Sequence, residues 1–218
     1  MQPILGLYED VLANDAEFAL PALPRMIFVV HGSIAAADRV LRDDEGFAGE
    51  GAVRLKAGSG GATVWRWEFA AGDIGSTAGR GVVSREKLSA RLDILPKGEL
   101  LLRGDSVAFP PGGCAYRHRH QGPGIRCLID GGIRIDTQGH STSYGPGCPW
   151  YESGPEPVFA QAADRPTRFI RVMVLPRAYL GKSSAEYLNE EDKAKPKTQQ
   201  YKIYADIPIA IAFASSSA

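Results

Sequence analysis

The sequence predicts an all-β protein, and three observations carry that prediction. The 25 glycines and 15 prolines are spread through all 218 residues and punctuate short apolar runs, the pattern of many strands joined by turns. Those runs are rich in β-branched and aromatic residues, which suit a pleated, half-buried surface. Helical periodicity is weak outside two short pieces, near Ile4–Ala13 and Ser183–Glu191. Hydrophobic residues make up 44% of the chain and charged residues 23%, which favours a folded core over disorder and suffices for one large or two small β domains.

In chain order, Met26–Val30 and Thr63–Phe69 are the first strong strand candidates. Between them, Gly58-Ser59-Gly60-Gly61 lacks the Lys-Ser/Thr of a phosphate loop and reads as a hairpin turn. Leu88, Ala90, Leu92 and Ile94 then alternate with Ser89, Arg91 and Asp93 before the turn Pro96-Lys97-Gly98, the period of two expected of a strand. Ile125–Ile129 and Arg168–Leu175 follow. A faint internal repeat runs through these segments. Val30-His31-Gly32-Ser33-Ile34 reads like Ile129-Asp130-Gly131-Gly132-Ile133, and Ala62–Trp67 reads like Thr167–Val172. Two related strand sets result, at 20–85 and 86–180. Beyond Pro176, Lys182–Gln200 is a polar linker, and Tyr201–Asp206 is one further strand. Ile207–Ala214 is apolar, suited to cover a barrel edge or to pair with a second subunit. The domain reading is therefore 1–85, 86–180 and a linker with a terminal strand or tail at 181–218.

Composition excludes several partners. Lys and Arg together equal Asp and Glu, 25 against 25, and no basic cluster offers the concentrated positive face that nucleic acid needs. No run of about 18 apolar residues is available to span a membrane. The first residues carry acids rather than a basic region followed by an apolar core, so a cytoplasmic protein is expected. Cys114, Cys127 and Cys148 are odd in number and lack zinc-site spacing, as free thiols in a reducing compartment would. No nucleophile triad or dinucleotide fingerprint is present.

The chemistry concentrates in Gly112–Gly131, GGCAYRHRHQGPGIRCLIDG. On a strand His118 and His120 point the same way with Cα atoms about 6.6 Å apart, close enough for two imidazoles to share one metal ion. The same parity puts Cys114 and Tyr116 on their face. His140, in Gln138-Gly139-His140-Ser141, and His31, before a glycine, read as surface or structural histidines.

A glycine, five residues, His-x-His and a turn glycine eleven residues later resemble the first signature motif of the cupin superfamily. The resemblance covers about 86–180. It implies a double-stranded β-helix, or jelly-roll, barrel, with the first strand set as a degenerate second half in a bicupin-like chain. It also implies a divalent metal (Fe, Mn, Ni, Cu or Zn) on His118, His120, a glutamate and a further histidine. Here the glutamate position falls on Gly124 and the histidine position near Pro157 or Val158. Glu152 is the candidate replacement ligand, completing a two-His, one-carboxylate set. Counting from Gly124, Arg126 and Leu128 face inward. Arg126 then either clamps a substrate carboxylate or pairs with Glu152. Tyr116 is placed to move protons, while Cys114 and Trp150, with Tyr151, line or cover the cavity. The implied function is a small-molecule enzyme of dioxygenase, isomerase or lyase type, acting on a small oxygenated or acidic substrate. The alternative is a metal-free barrel that binds a small carboxylate. A homodimer is the implied assembly.

Overall fold

Strands make up nearly all the regular structure in the computed structural model of the chain, which describes residues 2–75 and 79–210. Among these residues the helical exceptions are α1 (Glu190–Ala194) and a single 3-10 turn at Arg177–Tyr179. The strands belong to two units, one reaching to Asp93 and including Ile209, the other running from Ile94 to Pro208.

The first unit holds β1 (Ile4–Leu12), β2 (Glu17–Leu20), β3 (Arg25–Ala36), β4 (Arg39–Arg42), β5 (Gly46–Gly49), β6 (Val53–Ala70) and β7 (Val82–Arg91). They form one antiparallel sheet in the order β4-β3-β6-β1-β7, with β2 on β6 and β5 on β3. Ile4–Ala13, expected to be helical, is instead the strand between β6 and β7. Ile4, Leu5, Gly6 and Leu7 are buried in succession. A strand covered on both faces reads as an unbroken apolar run, which periodicity cannot separate from a buried helix. Because β7 pairs with β1, the alternating run from Leu88 belongs to this unit.

The glycine run at 58–61 corrects a second expectation, since it lies inside the 18-residue β6 and makes no hairpin turn. Register between β3 and β6 breaks at Val29/His31 and Gly32/Ile34. Gly32, at φ +88, lies so near Gly61 that a Cβ on it would fall 2.3 Å from the Gly61 carbonyl oxygen. Glycine is required there for both its φ and its lack of a side chain. The same lock recurs in the second unit. Gly131 has φ +84, and a Cβ on it would fall 2.4 Å from the Pro166 oxygen, beside Thr167. These are the residues that the internal repeat matches.

Inside the first unit the charged groups are paired with one another. Arg25 Nε donates to Glu68 at 2.9 Å, and Arg66 Nε donates to Asp10 at 2.7 Å. Arg66 also bonds Glu68, and Ser84 Oγ donates to Asp10 at 2.5 Å. The network leaves these buried charges with partners, as burial demands.

The second unit holds β8 (Leu100–Phe109), β9 (Cys114–His120), β10 (Gly124–Asp130), β11 (Ile133–Thr137), β12 (His140–Tyr144), β13 (Pro149–Glu152), β14 (Val158–Ala162), β15 (Thr167–Pro176), β16 (Ala185–Tyr187) and β17 (Gln200–Ile209). Two five-stranded sheets result, β13-β10-β15-β8-β17 and β12-β11-β14-β9-β16. Val107, Phe109, Leu128 and Phe169 from the first meet Ala115, Ile135, Val158 and Ala160 from the second in one apolar cluster. That is the double-sheet jelly roll.

The polar stretch expected as a linker takes part in the fold. Its residues 185–187 form β16, which pairs with Arg119 and the two histidines of β9. The predicted helix over Ser183–Glu191 therefore yields to a strand, and helix begins only at Glu190. A short isolated helix is marginal in water, whereas pairing satisfies the open edge of β9. Tyr201–Asp206 lies within β17; of the apolar segment Ile207–Ala214, residues 211–214 lie outside the described residues. Cys114, Cys127 and Cys148 form no disulfide with one another. Among the described residues no helix is long and apolar enough to cross a membrane.

Candidate functional site

Within the second unit, five ionisable side chains and apolar residues of the core cluster line a cavity of ≈ 20 Å³. His118 and His120 come from β9, Arg126 from β10, Glu152 from β13 and Arg171 from β15, with Tyr201 of β17 at the edge. The two imidazoles meet at right angles with Nε2 atoms 3.2 Å apart. His118 Nδ1 lies 2.7 Å from the Tyr116 carbonyl oxygen. That contact makes Nδ1–H the donor and leaves the Nε2 lone pair facing the cavity. His120 Nδ1 faces Ser184 Oγ at 3.4 Å. Arg171 grips Asp105 of β8 through two bonds of 2.9 and 2.7 Å.

Arg126 and Glu152 meet less completely. Arg126 Nη1 donates to the Gly124 carbonyl at 2.7 Å, and its Nη2 lies 2.7 Å from Glu152 Oε2. That second contact is an ion pair without hydrogen-bond alignment, so Nη2 and Oε2 both stay buried without a hydrogen-bond partner. Glu152 is otherwise held by Trp150, whose Nε1 donates to Oε1 at 2.9 Å.

Two expected cavity residues lie elsewhere, and the reason is a bulge. In the β9–β14 pairing Val158 faces His118 but Ala160 faces Ala115, so the register slips by one between them. An inserted residue reverses strand parity. Ala115 therefore lines the cavity, while Cys114 and Tyr116 do not. Tyr116 instead lies beneath the Lys195 ammonium, 4.6 Å from its ring centre. Trp150 does not line the cavity either. It is buried against Tyr144 and Phe169, where it orients Glu152. His31 and His140 are at the surface.

The departures from the cupin ligand pattern have a spatial logic. Val158, at the expected histidine position, puts an apolar wall beside His118. Gly124, at the expected glutamate position, pairs directly across the sheet with Glu152. A carboxylate thus reaches this region from the neighbouring strand. A Cβ on Gly124 would fall 2.5 Å from the Val172 oxygen and 3.1 Å from Arg126 Nη1. Gly124→Ala is expected to cost about 1–3 kcal/mol by overpacking and to displace Arg126; urea denaturation measures it, and an unchanged midpoint would show that the strand gives way freely.

Arg171, Asp105, Ser184 and Tyr201 were missed. A signal existed for the first: Arg171 interrupts the apolar run Phe169–Leu175, and a charge inside a buried strand needs a partner. Ser184 and Tyr201 carry no such mark, because their segment reads as polar surface.

Burial, the largest cause, lowers the pKa of His118 against the pull of Glu152. For His120, burial and then the Arg171 and Arg126 charges hold it well below the ordinary 6.5. Burial also pushes the Arg126 guanidinium down to about 10, with Glu152 opposing, so it stays charged at neutral pH. The unfolded chain protonates both imidazoles near pH 6.5 whereas the fold resists. Stability is therefore complete above that pH and is lost as the pH falls toward the lower folded values. Thermal melts of metal-free protein from about pH 8 to 5 should show this loss. The same acid slope in His118→Gln/His120→Gln would assign it to other groups.

The resemblance of the His-x-His segment to the cupin motif implies a divalent metal here, and the two imidazoles fit one. Their Nε2 atoms, 3.2 Å apart, are close enough for both to hold one ion. Both rings are held neutral, the ligating form. Glu152 Oε2 lies 3.7 Å from His120 Nε2. Among the described residues no group of three His, Cys, Asp or Glu is already close enough to form a metal site, so the fit rests on two nitrogens with Glu152 at its margin.

No family model and no curated protein matches the sequence. Solved structures do match. Bacillus subtilis oxalate decarboxylase aligns at TM-score 0.65 and 12% identity, covering 89% of this chain and 73% of that one. A structure of the same enzyme concerned with its Mn(II) centres aligns at TM-score 0.61 and 12% identity, over 90% and 81%. AerE from Microcystis aeruginosa aligns at TM-score 0.57 and 14% identity, covering 81% and 89%. These likenesses agree with the two facing sheets in one conclusion: the chain has the jelly-roll fold of these structures.

Proposed function

We propose that the second unit is a cupin-type enzyme site for a small acidic substrate, with a divalent metal held by His118 and His120. One observation carries this reading. Among the described residues, Arg126 Nη2 and Glu152 Oε2 are the only buried side-chain atoms of charged groups without a hydrogen-bond partner, and both residues line the cavity of the imidazoles. Nη2 has an ion-pair partner in Glu152 but no aligned acceptor, and a substrate carboxylate would supply one by a charge-assisted bond.

Iron, manganese, nickel, copper or zinc, when bound, would polarise a substrate oxygen as a Lewis acid. The protein's own residues do the rest. Tyr116 lends only its carbonyl, which fixes the His118 tautomer. Without metal, one Nε2–H bridges the imidazoles. If His120 Nε2 held a metal, its proton would reside on Nδ1, and the Ser184 hydroxyl can donate or accept to match either state. Glu152 Oε2, fixed through Trp150 and Arg126, is positioned to take a proton from a substrate carbon or hydroxyl. Dioxygenase, isomerase and lyase chemistry all remain within this set, because one barrel hosts many reactions.

A second reading is metal-free carboxylate binding, favoured by Val158 at the fourth-ligand position. Calorimetric titration with each of the five metal ions, then with acetate, separates the two. The proposal expects one metal per chain and an acetate site lost in Arg126→Gln. Acetate binding with no metal binding would establish the second reading, and neither event would end both.

A further inference from the structure

The cavity around the imidazoles is too small for the whole of an organic substrate. Its ≈ 20 Å³ admits a single water-sized group, for which about 10–15 Å³ suffices. Next to it is a pocket of ≈ 320 Å³, and Arg171 and Tyr201 line both. Ser184, which touches His120, also lines the larger one. Tyr187, whose ring centre is 5.8 Å from that of His118, does so too.

The walls of the larger pocket are specific. Tyr187, Tyr201, Ile203 and Ala185 supply apolar surface, and Lys182 and Lys197 supply positive charge. Its one carboxylate, Asp105, is already occupied by Arg171. Its Arg103 is likewise occupied, by Asp206 and the Lys182 and Tyr179 carbonyls. No free acid is present to repel an anion, and no unpaired arginine to capture a second one. The volume is that of a small-ligand site, for which about 300–1,000 Å³ is usual.

We propose that this outer pocket is the second half of the substrate site: it receives the aryl or branched-alkyl tail of a carboxylic acid whose head group passes Tyr201 to reach Arg126. The inference rests on the carboxylate reading given above and adds the substrate class. Short acids leave the outer pocket empty and bind weakly. Tyr201, 55% exposed and near the start of the edge strand β17, is the partition between the two spaces.

Calorimetry of the full chain with acetate, butyrate, hexanoate and 3-phenylpropionate tests this. Affinity should rise about fourfold per added methylene, the value for moving one CH₂ from water to an apolar wall. Ile203→Asp should abolish that rise; Ile203 is 56% exposed, so the variant folds. Equal binding of acetate and hexanoate to the wild type, or an undiminished rise in Ile203→Asp, would overturn the proposal and leave the Arg126 site standing. Absence of binding by every acid, or binding that persists in Arg126→Gln, would overturn the carboxylate reading and this inference with it.

Discussion

Glu152→Ala is expected to destabilise the protein by about 3–5 kcal/mol, because it strands the Arg126 guanidinium in a cavity that admits little water. Arg126 is 1% exposed and its remaining fixed partner is the Gly124 carbonyl. Removing its counter-charge leaves a buried cation uncompensated, whereas removing both charges does not. Arg126→Leu/Glu152→Leu should therefore recover most of the loss, and a double-mutant cycle from denaturant unfolding isolates the coupling. A Glu152→Ala cost below about 1 kcal/mol would mean that water already solvates Arg126 and that the site is far more open than its geometry indicates.

The second large effect is on metal. His118→Ala/His120→Ala should take the protein from near-stoichiometric metal to background by elemental analysis after incubation with each ion. Two imidazoles with Nε2 atoms 3.2 Å apart are the neutral nitrogen ligands among the described residues lining the cavity; the guanidiniums of Arg126 and Arg171 there are cationic and have no lone pair to offer a metal. Ser184→Ala should weaken binding by a smaller margin, about 10–100-fold, through loss of the partner that matches the His120 tautomer. Equal metal content in wild type and the double variant would place the ion elsewhere and remove the metal from the proposed mechanism.

The sequence disclosed more of this site than of the fold around it. His-x-His, the empty glutamate position at Gly124, inward Arg126 and the alternative of its pairing with Glu152 were all visible, because each follows from strand parity or from a motif with fixed spacing. The partners that complete the site were not. Asp105, Arg171 and Tyr201 lie on β8, β15 and β17, and their sheet is ordered β15-β8-β17. No local pattern announces which strands will be neighbours. The polar stretch 182–200 misled for the same reason, since its value as an edge partner for β9 depends on β9 having an edge to offer.

Strand content and the facing pair of imidazoles are thus properties of the chain itself. Strand propensity and period-two alternation act over a few residues, and the sequence by itself determines them. Which side of the wall Cys114 and Tyr116 occupy was decided only in three dimensions. The extra residue between Ala115 and His118 is defined by what it fails to pair with on β14, from Val158 to Ala160. A bulge is a relation between two strands, so parity counted along one of them cannot reveal it.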